Sequence, residues 1–375
     1  MDSDVIVFAQ EHYNPLNIIR SLGKSGIYPI FISVKRGYEL ASKSKYISKL
    51  HVVDSVEEGY NLLMNNYACS QSGKAPNVLF SDDKCVGYFD DRYDEWKNKI
   101  ITFNAGHQGR VNEFMDKFKI QQLAKKYGFN VLSSYLISKE EPIIPKDLDY
   151  PIITKDITPN SGSWKSDVFI CKDEDELRRA IDAITSPILM VQHFVDKKNE
   201  LALEGYTVNH GQDMQVVTQI TYKYLIPGYY SPYHDVTPFS NHEIESALKN
   251  IFKEIGYEGI FEAEFLIDKD DTLYFMEINF RASAWNPTGY HAGMPLPNLW
   301  IKGMKNGRID PSDRKDFEPF TSMSEIIDYS KRVEGGICSI GEWLKDFREA
   351  KCLYIYDKDD QAPWEEACNH WDKFK

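Results

Sequence analysis

Short apolar runs at Asp4–Phe8, Ile27–Val34, Lys49–Val53 and Asn77–Ser81 read as strands. The segments between them carry helix signals. Asn14, with Pro15 at the first helical position, opens a helix that runs to Ser25 before Gly26, and Ser55 followed by Glu57 and Glu58 opens another. Strands separated by helices predict a parallel, doubly wound α/β sheet.

Beyond this region the pattern changes. Asn112–Tyr127 reads as one amphipathic helix with Phe114, Phe118 and Leu123 on its apolar side and Gly128 as its stop. Asp149–Lys155 and Lys165–Lys172 read as strands around a loop, Asp173–Ala183 as a helix and Ile188–Val195 as an apolar strand. Glu200–Asn209 and Met214–Tyr224 form a hairpin about the polar His210–Asp213. Ser240 and Glu243 have capping-box spacing, and Ile244, Leu248, Ile251 and Ile255 then make one stripe that ends at Gly256. From Ser324 onward short helical and strand segments alternate. The reading is an α/β part followed by α+β parts, with boundaries 1–110, 111–195 and 196–375.

The segment Gly259–Arg281 concentrates the chemistry. It reads as two apolar strands joined by the turn Asp268-Lys269-Asp270-Asp271, with Glu264 thirteen positions before Glu277. Side chains alternate along a strand, so Glu277 and Asn279 share a face and Glu264 meets them across the ladder. Carboxylates in an apolar hairpin are costly to bury without cations. Two carboxylates and an amide oxygen form a hard oxygen set that suits Mg²⁺.

Bulk properties narrow the classes. A chain of 375 residues with net charge −13 and pI about 5.2 has the length for a sizeable core, and its charge argues against binding nucleic acid through phosphates. The six cysteines, Cys69, Cys85, Cys171, Cys338, Cys352 and Cys368, form no CxxC pair and read as reduced thiols of a cytoplasmic protein. Histidine spacing offers no zinc motif. No signal peptide and no transmembrane run is expected. Gly23-Lys24-Ser25 imitates the end of a P-loop but closes a helix where a P-loop would open one, and Asp268-x-Asp270 lacks the glycine and terminal glutamate of an EF-hand.

The E-F-L … F-x-E-x-N-x-R pattern of Glu264–Leu266 and Phe275–Arg281 resembles the last strands of the ATP-grasp fold. The first hundred residues, including Ser44-Lys45-Tyr46, resemble the pre-ATP-grasp domain that precedes it. The resemblance implies that Glu264, Glu277 and Asn279 hold Mg²⁺, with Mn²⁺ as an alternative, against ATP phosphates, and that Arg281 contacts phosphate or substrate. It implies phosphate contacts for Lys117 and for Lys155, which ends an apolar strand. It makes Thr158–Trp164 the phosphate-covering loop, in which Gly162 is the only glycine and Lys165 can supply a charge. Met190–Val195 becomes the adenine-facing hinge, bringing in Gln192, His193, Phe194 and Val195, while Glu200 reads ribose hydroxyls and Leu266 lies under adenine. Trp285, Asn286, Tyr290 and His291, in the loop after Arg281, are candidates for the acceptor pocket, and Lys223 is a candidate cation near the transferred phosphate.

The arrangement is similar to the carbamoyl-phosphate-synthase-like branch of stand-alone ligases. That similarity implies ATP-dependent joining of a carboxylate to an amine through an acylphosphate, with release of ADP and phosphate. Catalysis would rest on charge placed by Lys155 and Arg281. The implied partners are small carboxylates and amines (amino acid, peptide or sugar precursor), with homodimer pairing through the first domain. The rival readings are a kinase on the same fold and a nucleotide-binding module without catalysis.

Overall fold

The computed structural model describes residues 3–68, 73–157, 168–226 and 230–374. The loop Thr158–Trp164, Lys165 and Cys69 lie outside the described residues. The other five cysteines are free.

Three sheets organise the chain. The first contains strands β1 (Val5–Gln10), β2 (Ile30–Val34), β3 (Lys49–Val53) and β4 (Asn77–Phe80) in the order β3-β2-β1-β4, every pair parallel. This is the doubly wound sheet that alternating strands and helices require. The second contains β5 (Ser134–Ser138), β6 (Ile152–Asp156), β7 (Ile170–Cys171) and β8 (Ile188–His193) in the antiparallel order β5-β8-β6-β7. The third has seven strands. They are β9 (Lys197–Val208), β10 (Asp213–Tyr222), β11 (Tyr233–Thr237), β12 (Gly259–Asp268), β13 (Leu273–Asn279), β14 (Phe320–Met323) and β15 (Cys352–Leu353), in the order β13-β12-β9-β10-β11-β14-β15.

One apolar core joins the first and third sheets, with Phe8, Phe80, Phe103, Trp300, Phe261 and Phe252 fully or almost fully buried. The second sheet has its own small core around Leu177, Ile181, Leu189 and Val191. The first and third sheets are therefore one packed body, against which the second sheet leans.

Several local readings change. The expected helix over Asn112–Tyr127 is two helices, Arg110–Met115 and Lys117–Lys126. Asp116 breaks it, with extended backbone (φ −66°, ψ 114°) and a side chain that accepts from the Lys119 N–H as the second helix's cap. The first long helix is Tyr13–Lys24, capped by His12 in place of Asn14, because the His12 ring nitrogen accepts from the Asn14 N–H. The helix His242–Ile255 is capped by Asn241, whose side chain accepts from the Glu243 and Ile244 N–H groups, so the Ser240 box does not form. Its end at Gly256 stands as expected, with φ 80° reached by glycine at no steric cost.

Candidate active site

The hairpin β12–β13 has the expected register. Glu264 pairs with Glu277 and Glu262 pairs with Asn279. A bulge between Glu264 and Phe265 shifts the ladder by one residue, so Phe265 and Leu266 also reach the cleft. On the other side of β12, Glu262 faces Glu204 and Leu266 faces Glu200. Five carboxyl groups thus share neighbouring strand positions, and Glu200, Glu262, Glu264 and Glu277 reach one cavity.

They open into a cleft of about 550 Å³. Lys117, Lys155, Glu200, Glu264, Leu266, Glu277, Asn279 and Arg281 all line it, brought from the second and third sheets and the helix Lys117–Lys126. The first sheet adds His12 and Asn14 beyond β1 and Asp83 beyond β4, at the carboxyl ends of its strands, where doubly wound sheets place ligands.

Each charged group has a physical anchor. Lys117 begins its helix, its backbone N–H donates to the Ile157 carbonyl (2.8 Å), and its ammonium pairs with Glu277. Gln121, one turn on, donates to the Met276 carbonyl (2.8 Å), which fixes the helix to β13. Lys155 donates to Gln192 Oε1 at 3.0 Å. Gln192 is itself held by donating to Gln121 (3.0 Å) and Ser134 (2.9 Å). Arg281 donates from Nε to Asp83 (2.9 Å) and from Nη2 to Asn279 Oδ1 (3.0 Å), while Asn279 Nδ2 donates to Glu262 (3.0 Å) and Glu264 (2.8 Å). Tyr222 donates to Glu200 at 2.6 Å, and Lys197 pairs with the same carboxylate.

The electrostatics follow from burial. Desolvation, then the nearby Lys117 charge, pulls the Lys155 ammonium down to about 8. Lys117 is lowered by burial as well. Burial, then Glu200, raises Glu264; burial, then Glu264 and Glu204, raises Glu262 far above the usual carboxylate range. Burial pushes Glu204 up to about 8. Glu262 Oε1 and Glu204 Oε2 are buried without a hydrogen-bond partner. Raised this far, Glu204 and Glu262 keep their protons near neutral pH, which spares the cost of burying unpaired charge. Among the described residues no three His, Cys, Asp or Glu side chains gather as a metal site by themselves. Glu264 and Glu277 pair across the ladder, while Asn279 Oδ1 accepts from Arg281 and its Nδ2 faces Glu264, so the three would offer Mg²⁺ an oxygen set only with that amide turned over.

Other expected residues sit differently. The Gln192 side chain meets the cleft only through Lys155, and the backbone N–H groups of His193 and Phe194 are occupied by the Ser133 (3.3 Å) and Pro151 (2.9 Å) carbonyls. His193, Phe194 and Val195 are half-buried and do not line the cleft. Of the acceptor candidates only Trp285 lines it. Asn286 is buried beneath, Tyr290 faces the Lys24 ammonium (5.4 Å) on another surface, His291 packs near Phe320, and Lys223 pairs with Asp235 (3.0 Å).

The reading of the sequence missed His12, Asn14, Asp83, Glu262, Tyr222, His234 and Tyr354. Strand parity with Glu264 would have found Glu262, and position just past strand ends would have found His12, Asn14 and Asp83. His234 and Tyr354 carry no local signal.

Lysines, paired carboxylates and an arginine thus converge on one strand-and-helix cleft. The family model for the RimK-like ATP-grasp domain matches residues 114–223 of the chain. It is 25% identical to N5-carboxyaminoimidazole ribonucleotide synthase of Staphylococcus haemolyticus over 46% of this chain and 46% of that protein. It is 24% identical to the 2-oxoglutarate carboxylase small subunit of Hydrogenobacter thermophilus over 51% of this chain and 43% of that protein. The chain thus spans less than half the length of these curated relatives. Among solved structures, N5-carboxyaminoimidazole synthetase from Staphylococcus aureus superposes with a TM-score of 0.65 at 14% identity, covering 91% of this chain and 88% of that one. L-amino acid ligase from Bacillus licheniformis superposes with a TM-score of 0.63 at 12% identity, covering 86% and 79%. The fold is the ATP-grasp fold. No helix among the described residues is long and apolar enough to cross a membrane.

Proposed function

We propose that this protein is an ATP- and Mg²⁺-dependent ligase that joins a small carboxylate to an amine. The γ-phosphoryl group passes to the carboxylate, the amine attacks the acylphosphate carbonyl, and phosphate leaves with ADP as the second product. The observation that carries this reading is the convergence of Lys117, Lys155, Glu264, Glu277, Asn279 and Arg281 on one cleft. The likeness to an L-amino acid ligase and to N5-carboxyaminoimidazole synthetase supports it.

Glu264, Glu277 and Asn279 would hold Mg²⁺, which when bound neutralises phosphate charge. Lys117 and Lys155 bind phosphate oxygens. Lys117 exchanges its Glu277 contact for ATP, while Gln192 keeps Lys155 aimed at the cleft. Arg281, fixed by Asp83 and Asn279, stabilises the charge that develops on the acyl carbon's oxygens. Glu200, with Tyr222 orienting it, accepts from ribose hydroxyls, and Leu266 beside it packs under adenine. The working division into 1–110, 111–195 and 196–375 is supported by the three sheets.

The test is release of ADP and free phosphate with pooled carboxylates and amines. A ligase releases phosphate only when Mg²⁺ and both acceptors are present. ADP formation without free phosphate would replace this reading with a kinase.

A further inference from the structure

The end of the cleft away from the lysines is walled by aromatic rings. Tyr13, Tyr230, His234, Trp285 and Tyr354 line it. The His234 and Tyr354 rings lie nearly parallel (10°) with centroids 6.3 Å apart, and Trp285 stands edge-on to His234 at 5.6 Å and 88°. Tyr13 lies 5.9 Å from Tyr354, and its hydroxyl is 3.5 Å from that of Tyr230. Of the lining cations, Lys117 pairs with Glu277, Lys155 donates to Gln192 and Arg281 donates to Asp83 and Asn279. His12 and His234 remain neutral, because burial lowers them to about 3 and about 4. Among the described residues this end therefore offers aromatic rings, tyrosine hydroxyls and neutral amide or imidazole edges.

The ring from the tail is not loosely hung. Glu325, fully buried, accepts the backbone N–H groups of Tyr354 (3.1 Å), Ile355 (3.1 Å) and Tyr356 (2.6 Å). A few residues on, Asp360 accepts from Arg20 (2.9 Å), Ser44 (2.7 Å) and the Lys45 N–H (2.9 Å). The third sheet grips one side of the segment and the first sheet grips the other, and Tyr354 is presented to the cleft between them.

We propose that this aromatic end is the acceptor subsite and that it takes an uncharged ring on the substrate, held by its face. The proposal rests on the ligase reading for the identity of the cleft. Stacking and C–H contacts to aromatic rings favour a ring over an open chain. An aromatic side chain and a sugar ring share this chemistry, so the test separates them.

Calorimetry on the full chain with ADP and Mg²⁺ would compare L-phenylalanine with L-leucine, and glucosamine with its open-chain reduced counterpart 2-amino-2-deoxyglucitol. Preference for the ring member of one pair by about tenfold is expected, and which pair shows it identifies the source. Tyr230→Ala, at a half-buried position, should weaken that ring probe by about tenfold with ADP affinity and melting temperature unchanged. Tyr354→Phe, which keeps the face, should stay within about threefold. If Tyr230→Ala does not fold, Tyr13→Leu serves the same comparison. Equal binding within both pairs, binding of none of the four probes, or ring binding indifferent to these substitutions would overturn the subsite. Ring-selective binding without any ATP turnover would keep the subsite and overturn the ligase reading. ATP turnover that ignores the ring would do the reverse.

Discussion

The charged and aromatic ends of the cleft are built in opposite ways. At the charged end, Glu262, Glu264, Glu277 and Asn279 come from one hairpin, and the β12–β13 ladder fixes their mutual positions. At the aromatic end, each ring comes from a different part of the chain: Tyr13 opens a helix, Tyr230 and His234 flank the start of β11, Trp285 follows β13, and Tyr354 follows β15. Charge placement demands accurate angles, which a ladder supplies locally. Burying a ring demands area and complementary shape, and any segment that reaches the spot can supply them. One end is a local motif, and the other is a product of packing.

The largest expected effect breaks the charged end alone. Glu277→Gln removes one carboxylate charge from the proposed Mg²⁺ set and should lower Mg²⁺-dependent ADP release by about 10²–10³-fold, a loss of the size seen when one group that stabilises developing charge is removed. Its melting temperature should stay near that of the parent protein, because Glu277 and its partner Lys117 are both partly exposed. A fully active variant would remove Glu277 from the metal role.

Breaking the support of the aromatic end should act on stability first. Arg20 and Asp360 are buried at 6% and 1% side-chain exposure, and Arg20→Met leaves the carboxylate without its cation. Chemical denaturation should show a loss of about 3–5 kcal/mol, as for other broken buried pairs. Acceptor binding should weaken with it while ADP affinity holds. Equal loss of both would mean that the two ends are not separable.

The pH profile sharpens the contrast further. Lys155 is depressed to about 8, so it is charged below that pH and loses its proton above it. ATP affinity should fall as pH rises through about 8, and Lys155→Arg should flatten the fall, as read by calorimetry from pH 7 to 9. The stability sign is opposite. Its unfolded value is 10.5, so the unfolded chain binds more protons between about 8 and 10.5, and this group makes folding more favourable as pH rises across that window.

The smallest effect is at the aromatic end. With His12 and His234 at about 3 and about 4, neither changes charge between pH 5.5 and 8, and acceptor binding should vary by less than about twofold from these groups over that range. A midpoint near 6.5 in the acceptor affinity would show that burial does not hold them neutral.

Local patterns in the sequence determined the parallel first sheet, the hairpin with its Glu264–Glu277 pairing and the helix stop at Gly256, because each depends on neighbouring residues alone. Even locally, competing caps defeated the pattern: Asp116 cut a helix that apolar periodicity ran together, and Asn241 took the N–H groups that Ser240 was expected to bind. Only the tertiary structure decided that Arg281 would meet Asp83, nearly two hundred positions earlier, and that the backbone N–H groups of His193 and Phe194 would be taken by neighbouring carbonyls. It alone decided that β14 and β15 extend the third sheet and carry Tyr354 into the cleft. Short strands and single rings have no periodicity of their own. Their positions follow from burial and from which backbone groups remain to be paired, and those are properties of the whole packed chain.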